Sequence, residues 1–287
     1  MPKKKVKLGD LASDAKKIYL PYIEVTYPQL PPSILYTDFP KLPAAGDSQG
    51  PKPKLLVTVI DRDPVDAALS WHGENVGGCK MEVKAIPVVS TANEEQPGGD
   101  WELATIGQEE DLCRRSNLTG ALASPSRNSN YPIPSKGGIY SPSVVIFRSG
   151  ATEQHTVWKE FKSLPIISVV PVRRPKLNEA GTEYVFDQEK ELMRDKMRMV
   201  LRIAAHQQHK EICIGPFGIG PGMLNPAPLV ATMWREILFE EFHGVFSSVV
   251  FAIESAADSY LRKEASTVFS VFKEEFDPSN IVKTNYR

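Results

Sequence analysis

Paired carboxylates open a predicted helix at Glu109 and Glu110 and offer the clearest acid–base chemistry in the chain. The Thr105-x-x-Gln108 spacing predicts a capping box, which places both glutamates in the first helical turn. The helix dipole favours ionised acids there, so a proton-donating glutamate needs burial or a neighbouring carboxylate to raise its pKa. The alternative is a turn followed by a well-capped surface helix that carries no catalysis.

Two glycine-rich loops follow predicted strands, and together they suit a phosphorylated sugar. The first contains Pro97-Gly98-Gly99-Asp100, and a glycine pair lets backbone approach a ligand closely. The second, residues 215–226, connects a strand to a helix with Asn225 as the predicted cap, which is the layout of a phosphate cradle. It lacks Gly-Lys-Ser/Thr and is not a P-loop. A tight Gly/Pro-rich connection is the alternative for this second loop.

Two other pairs of polar residues are weaker candidates for a site. Arg114 and Arg115 offer positive charge to phosphates, and a solvated helix face is the alternative. His206-x-x-His209 has the i,i+3 spacing of a metal-binding pair, but no third ligand follows nearby. We therefore expect no metal at this pair.

The elements that must position these residues alternate between strands and helices after residue 54. Short apolar or β-branched runs predict strands at 55–60, 83–89, 144–147, 166–172, 212–214 and 249–253. Helical spacing and caps predict helices at 64–71 (with Asp63 as N-cap), 107–118, 186–206 and 226–239. This alternation predicts an α/β sheet with helices on both faces, where ligands bind at the carboxyl ends of the strands.

Proline distinguishes the N-terminal part of the chain, since many of the 24 prolines fall before residue 65. Residues 8–19 have helical spacing. The proline-rich stretch 21–53 is predicted to be an extended surface wrap, because proline suits neither a helix interior nor a central strand. We therefore predict an accessory part over residues 1–53 and a main domain over residues 54–287.

Composition restricts the class of protein. The 287 residues include 34 Lys+Arg and 35 Asp+Glu, 41% are hydrophobic and 24% are charged, values typical of a globular protein. The net charge of −1 argues against direct nucleic-acid binding, and no apolar run is long enough for a membrane span. An odd cysteine count of 3 without CxxC argues against a disulfide framework. The basic run at residues 2–7 suggests nuclear import, or else a solvated end, so we expect an intracellular protein of the nucleus or cytoplasm.

The glycine pair and the glutamates together resemble the macrodomain-type poly(ADP-ribose) glycohydrolases, closest to their shorter microbial and fungal branch. That signature is three glycines, a short spacer and Gln-Glu-Glu, and here eight residues separate Gly99 from Gln108. Other stretches resemble the same branch, namely 109–116, 137–148, 167–170, 192–198, 215–226 and 249–253. The resemblance spans roughly residues 8–276. It implies a macrodomain-like mixed sheet sandwiched by helices, preceded by an N-terminal helical and proline-rich extension.

The resemblance also implies roles for individual residues. Glu110 would be the catalytic acid that protonates the leaving oxygen of a ribose glycosidic bond and then activates water. Glu109 would hold ribose hydroxyls, and the backbone amides of residues 218–222 would take the diphosphate. The residues implied to bind the ligand are Asn93, Gly98, Gly99, Asp100, Gln108, Gly215, Phe217, Gly218, Ile219, Gly220, Pro221, Gly222 and Met223.

Two departures from the family pattern touch the ribose region. Asp100 replaces the third glycine and would repel the diphosphate if it pointed inward, or only stiffen the turn if it pointed outward. The second loop lacks the aromatic that normally packs on the ribose, although Phe217 is near.

The leading hypothesis is a glycohydrolase that releases ADP-ribose, with poly(ADP-ribose) or ADP-ribosylated proteins as partners. The alternatives are a non-catalytic ADP-ribose-binding module and a hydrolase of a related ADP-ribose conjugate.

Overall fold

The computed structural model describes residues 7–42, 54–75, 85–123, 130–220, 222–255 and 262–280. Five features considered above fall wholly or partly outside these ranges. They are residues 2–6 of the basic run, residues 43–53 of the wrap, one of the three cysteines (Cys79), residues 83–84 of the predicted strand 83–89, and the loop residue Pro221.

One mixed sheet organises the fold. Its strands along the chain are β1 Ile34–Tyr36, β2 Leu56–Ile60, β3 Val88–Thr91, β4 Gly138–Arg148, β5 Val157–Val169, β6 Glu211–Ile214 and β7 Ser248–Ala252. They form a 7-stranded sheet in the order β1-β4-β5-β3-β6-β7-β2. The pairs β1/β4 and β4/β5 are antiparallel, and the other pairs are parallel.

The parallel pairing of β5, β3, β6, β7 and β2 brings the carboxyl ends of these strands to one edge of the sheet. Thr91 at the end of β3 lies opposite Val169 at the end of β5. On its other side, Val89 of β3 lies opposite Ile214 of β6. The loops that follow β3 and β6 are therefore neighbours, as a ligand site at this edge requires.

Helices cover both faces of the sheet, as the sequence pattern predicted. They are α1 Leu8–Asp14, α2 Leu20–Thr26, α3 Pro64–Asn75, α4 Gln108–Arg115, α5 Leu118–Ala123, α6 Asp187–His206, α7 Ala227–Glu236 and α8 Arg262–Glu275. One core cluster contains side chains of α6, α7 and α8, and a second contains those of the N-terminal helices, α3, α4 and α5. The prediction of an α/β sheet between helical layers is confirmed.

The N-terminal region is more regular than the proline content predicted. A π-helical turn, Ala15–Tyr19, joins α1 to α2, so the helix continues through Pro21. Pro21 is the second residue of α2 and follows the π-helical turn directly. The strand β1 pairs only with β4 at the sheet edge, which tolerates flanking prolines. The division of the chain at residue 53 remains a prediction, since residues on both sides of it pack into the same cores.

Other predicted elements differ at their ends. The predicted strand 83–89 is β3 at Val88–Thr91, and the two central hairpin strands, β4 and β5, are longer than predicted. The predicted helix 107–118 is interrupted, because α4 ends at Arg115 and Ser116 bridges to Ile146 of β4. These shifts leave the loops at the carboxyl edge in their predicted places.

Asp63 is confirmed as the N-cap of α3 and also neutralises a buried arginine. Its Oδ1 accepts hydrogen bonds from the backbone N–H groups of Val65 and Asp66, both at 2.9 Å. The same oxygen accepts a hydrogen bond from Arg115 at 2.5 Å, and Arg115 is fully buried. Asp111 and Asp66 lie 3.8 and 3.7 Å from the Arg115 guanidinium. Arg115 is therefore neither on a solvated face nor directed at a ligand, and both predictions for it are wrong.

We predict that Asp63→Ala lowers the free energy of unfolding by about 3 kcal/mol. The variant loses a helix cap and leaves a buried guanidinium with only more distant carboxylates. Asp63→Asn keeps a capping oxygen and should lose less. Urea unfolding of the three proteins measures the difference, and equal stability of the alanine variant and the native protein would contradict this account.

Candidate active site

Gln108, the first residue of α4, forms hydrogen bonds with the end of β3. Its Oε1 accepts hydrogen bonds from the backbone N–H and the hydroxyl of Thr91, at 3.2 and 2.9 Å. Its Nε2 donates to the carbonyl of Val89 at 3.1 Å. The predicted capping box is wrong, since the N-cap is Gly107 without a side-chain hydrogen bond. The prediction that both glutamates lie in the first turn of α4 is confirmed.

Glu109 is buried beneath the first loop and binds its backbone. Its Oε2 accepts a hydrogen bond from the N–H of Asn93 at 2.6 Å, and its Oε1 accepts one from the N–H of Gly98 at 3.1 Å. Only 3% of the residue is exposed. Burial raises the pKa of Glu109 to about 8, the charge of Glu110 adds to the rise, and the two N–H donors oppose it. This carboxylate is therefore placed to fix the loop.

Glu110 lies on the open side of the same helical turn. A Cβ at Gly99 would stand 2.9 Å from its Oε1, and a Cβ at Gly107 would stand 2.0 Å from its Oε2. The carboxylate is thus folded over two glycines that leave room for it. It is half-buried and has no hydrogen-bond partner among the described residues. Of the two carboxylates, Glu110 is the less buried and the more accessible to a ligand.

Asn93 joins the end of β3 to the first loop. Its Oδ1 accepts hydrogen bonds from the N–H groups of Glu95 at 2.8 Å and Gln96 at 3.1 Å, which closes an Asx turn. Its Nδ2 would stand 3.4 Å from a Cβ at Gly99, on the side where Glu110 lies. The amide nitrogen therefore points toward the predicted ribose position.

The glycine pair adopts a backbone conformation with positive φ, which other residues rarely adopt. Gly98 has a φ of +78°, and a Cβ there would stand 2.6 Å from the Cγ2 of Thr119 and 2.9 Å from the Sγ of Cys113. Gly99 has a φ of +53°. The next residue, Asp100, is exposed and does not have a positive φ. The third position of the motif therefore accepts a side chain, and that side chain lies in solvent.

Arg114 holds the loop between the glycines and the helix, a role that the sequence analysis missed. It is 1% exposed, and it donates hydrogen bonds to the carbonyls of Trp101 at 2.9 Å, Leu103 at 2.8 Å and Thr105 at 2.5 Å. Neither predicted role, phosphate contact or solvated face, is correct. A buried guanidinium shared among three carbonyls fixes the loop against α4.

The second loop packs against Gln108 at Gly215. A Cβ at Gly215 would stand 2.5 Å from the Nε2 of Gln108, so this contact requires a residue without a side chain. Further along the loop, Gly218 and Gly220 have φ values of +73° and +118°. Gly222 is exposed, and Met223 is half-buried. The loop that follows β6 therefore packs directly on the residue that positions the glutamates.

Asn225 stabilises the second loop from inside and is not the predicted helix cap. Its Nδ2 donates to the carbonyls of Val172 and Gly218, both at 2.7 Å, and its Oδ1 accepts from the hydroxyl of Tyr184 at 2.7 Å. The N-cap of α7 is Pro226. The asparagine thus ties the end of β5 to the second loop.

The side chain of Phe217 belongs to the core. Only 1% of the residue is exposed, and its ring packs edge-on against Trp234 with centroids 5.9 Å apart. Ile219 is half-buried and also packs against this core. The prediction that Phe217 contacts a ligand through its side chain is therefore wrong, and this aromatic does not replace the missing one.

The two histidines of the predicted metal pair have separate partners. The Nε2 of His209 is 2.8 Å from the hydroxyl of Tyr140 in the core, whereas the Nδ1 of His206 is 3.2 Å from the carbonyl oxygen of Lys41. Within the described ranges, no group of three or more His, Cys, Asp or Glu residues could hold a metal ion. None of the described helices is long and apolar enough to span a membrane.

A cavity of about 330 Å³ lies at the ends of β2 and β7. Its lining is largely acidic and consists of Asp61, Arg62, Asp66, Thr152, Glu153 and Glu254. Burial raises the pKa of Asp66 to about 6 and also raises that of Glu254. The net negative lining makes this cavity unsuitable for a diphosphate. The glycine-rich loops are the better candidates for that group.

We predict that Gly98→Ala lowers the free energy of unfolding by about 3 kcal/mol, whereas Asp100→Ala changes it by less than about 0.5 kcal/mol. The first change combines a positive φ with a collision against Thr119. The second is made at an exposed position without a positive φ. Urea unfolding compares the two variants, and similar losses at both positions would contradict the assigned loop geometry.

Glu109 should make stability depend on pH. Burial raises its pKa in the folded state to about 8, above the ordinary value of 4.5, so the folded state retains a proton that the unfolded state releases. Stability from this group is therefore full below about pH 4.5 and is lost as pH rises to about 8, at roughly 1.4 kcal/mol per pKa unit. Urea unfolding at pH 5.5 and 8.5 should show a smaller pH effect in Glu109→Gln. An unchanged pH effect would refute the assignment.

Solved structures of bacterial poly(ADP-ribose) glycohydrolases have this fold. The structure from Thermomonospora curvata has a TM-score of 0.68 at 20% sequence identity, with 94% of this chain and 99% of that chain covered. The structure from Deinococcus radiodurans in complex with ADP-ribose has a TM-score of 0.63 at 23% identity, with 85% and 93% covered. A Thermomonospora curvata structure bound to the inhibitor ADP-HPD has a TM-score of 0.64 at 19% identity, with 94% and 99% covered.

These identities establish a shared fold, and a family model establishes membership. No curated protein matches the sequence significantly. The model described as microbial-type PARG (poly(ADP-ribose) glycohydrolase), catalytic domain, matches residues 4–149, which is about half of the 287 residues. That match includes the glycine pair and both glutamates. The chain therefore belongs to the microbial-type poly(ADP-ribose) glycohydrolase family, whose members are enzymes that hydrolyse the ribose glycosidic bond.

Proposed function

We propose that this chain hydrolyses the glycosidic bond joining a terminal ADP-ribose to poly(ADP-ribose) or to a protein, and that Glu110 is the catalytic residue. The observation that carries this proposal is the difference between the two carboxylates. Glu109 is buried and accepts two backbone hydrogen bonds, whereas Glu110 is accessible and lies over Gly99. Glu109 is therefore suited to hold the loop in position, and Glu110 is suited to react with a bound substrate.

Glu110 would act first as an acid and then as a base. It donates a proton to the leaving oxygen as the bond from that oxygen to the ribose carbon breaks, which gives an oxocarbenium-like transition state. The resulting carboxylate then takes a proton from a water molecule that attacks the same carbon. The products are ADP-ribose and the free hydroxyl of the leaving group, and Glu110 is again protonated.

Glu109 and Asn93 would position the ribose. Each carboxylate oxygen of Glu109 accepts one backbone hydrogen bond and has further lone-pair capacity for a ribose hydroxyl. The Nδ2 of Asn93 lies toward Gly99 and can donate to a ribose oxygen. The outward Asp100 supports this proposal, because its carboxylate does not occupy the ribose side of the loop.

The second loop would bind the diphosphate through its backbone. Among the described residues, the N–H groups of Gly218 and Gly220 donate to no backbone carbonyl. Positive φ values at both glycines are a feature of anion-binding concavities, and the N–H of Ile219 between them donates to the carbonyl of Pro216 at 3.1 Å. The closeness of Gly215 to Gln108 supports a diphosphate position next to the proposed ribose position.

Hydrolysis of a related ADP-ribose conjugate is a second candidate. Burial of Phe217 in the core favours it, because that ring cannot pack on the ribose. The exposed position of Asp100 weakens the case for a binding module without activity, since this departure from the family pattern leaves the ribose side of the loop unobstructed.

The proposal extends to location and partners. We propose that the protein acts in the nucleus or cytoplasm, which the basic run at residues 2–7 supports. The net charge of −1 supports the absence of direct nucleic-acid binding. ADP-ribosylated proteins or the polymer itself would then be its partners.

We predict that Glu110→Gln lowers the rate of ADP-ribose release from purified poly(ADP-ribose) by at least about 100-fold. The amide cannot donate and recover a proton, but it occupies the same space. Affinity for ADP-ribose, measured by calorimetry, should change by less than about 3-fold. The matched control is Glu95→Gln, an exposed carboxylate on the same loop, which should retain full activity.

Release that persists in Glu110→Gln would refute the catalytic assignment. Absence of release from the native protein, with ADP-ribose affinity retained, would favour the binding module or a different conjugate as substrate.

A further inference from the structure

Two adjacent arginines, Arg173 and Arg174, follow the end of β5 and lie exposed at the carboxyl edge of the sheet. Other arginines on the surface pair with glutamates, as Arg194 does with Glu236. Among the described residues, no carboxylate forms an ion pair with Arg173 or Arg174. Their charge is therefore available to an anion from outside the chain.

The backbone that carries this pair is fixed to the second loop. The N–H of Arg174 donates to the carbonyl of Met223 at 2.7 Å, and the preceding Val172 accepts a hydrogen bond from Asn225. Arg174 has a φ of +51°, which is uncommon for a residue other than glycine. A left-handed residue held by these hydrogen bonds indicates a segment of defined position.

The order of the strands places the pair on one particular side of the proposed catalytic centre. β5 flanks β3 on the side opposite to β6. Val169 lies opposite Thr91, so Arg173, four residues further on, is at most about 19 Å from Thr91. In the proposed function, the terminal ribose lies at the end of β3 and its diphosphate at the loop after β6. The group attached to the ribose would therefore leave toward β5.

The chemistry of the polymer matches this position. In poly(ADP-ribose), the leaving oxygen belongs to a ribose of the preceding unit, and that ribose carries the next diphosphate. Guanidinium groups bind phosphates through paired, charge-assisted hydrogen bonds. A single ADP-ribose on a protein offers no such second diphosphate.

We infer that Arg173 and Arg174 bind the diphosphate of the unit preceding the scissile bond, and so make this enzyme selective for polymer over single ADP-ribose units. This inference rests on the proposed function. It assigns these residues to substrate selection and leaves the proton transfers to Glu110.

The test compares Arg173→Ser/Arg174→Ser with a control that removes the same charge elsewhere. The control, Lys159→Ser/Lys210→Ser, changes two exposed lysines near the opposite ends of β5 and β6. In the arginine variant, KM for long poly(ADP-ribose) should rise about 10-fold, with kcat changed by less than about 2-fold. Its Kd for ADP-ribose alone should stay within about 2-fold of the native value. The control should match the native protein in all three measurements.

A second measurement separates this inference from the proposed function. Polymer binding is measured by anisotropy in the Glu110→Gln background, where the polymer is not consumed, with and without the arginine substitutions. Weaker polymer binding with unchanged ADP-ribose binding supports the inference even if the native protein releases nothing. Unchanged polymer binding overturns it. An equal loss of affinity for ADP-ribose also overturns it, because the arginines would then serve the terminal diphosphate.

Discussion

The catalytic end of this molecule depends on one buried carboxylate. Glu109 accepts the backbone N–H groups of Asn93 and Gly98, and so joins the end of a central strand, the turn of the glycine loop and the first turn of a helix. The same helical turn sets the orientation of the neighbouring Glu110. Burying an acidic side chain is costly, and its two hydrogen bonds with backbone N–H groups offset only part of that cost, because burial still raises its pKa. Gln108 and Arg114 hold the same strand end and loop through other hydrogen bonds.

Sequence patterns predicted the layers of the fold because apolar periodicity follows burial. The long helix α6, the strands β6 and β7, and the cap at Asp63 were all predictable from spacing and composition. The glycine–glutamate motif located the site for the same reason, since its residue types are needed at those backbone positions. The element ends were less predictable, because hairpin length and the break after Arg115 depend on contacts distant in sequence.

Four of the wrong predictions share one physical cause. Arg114, Arg115, Phe217 and Asn225 are polar or aromatic residues beside a glycine-rich site, where a ligand contact and an internal contact look alike in sequence. Each makes its contacts inside the protein, with carbonyls, carboxylates, a tryptophan ring or a tyrosine hydroxyl. Charge alone does not reveal burial, because a guanidinium surrounded by acceptors is stable inside the protein.

The clamp of Arg114 on the carbonyls of Trp101, Leu103 and Thr105 has a consequence for the thermodynamics of ligand binding. A loop held this way loses its conformational entropy when the protein folds, and not when a ligand arrives. Ligand binding then removes little further conformational entropy from the loop, so a larger share of the interaction free energy appears as affinity. The last turn of the helix thereby determines how rigid the wall of the pocket is.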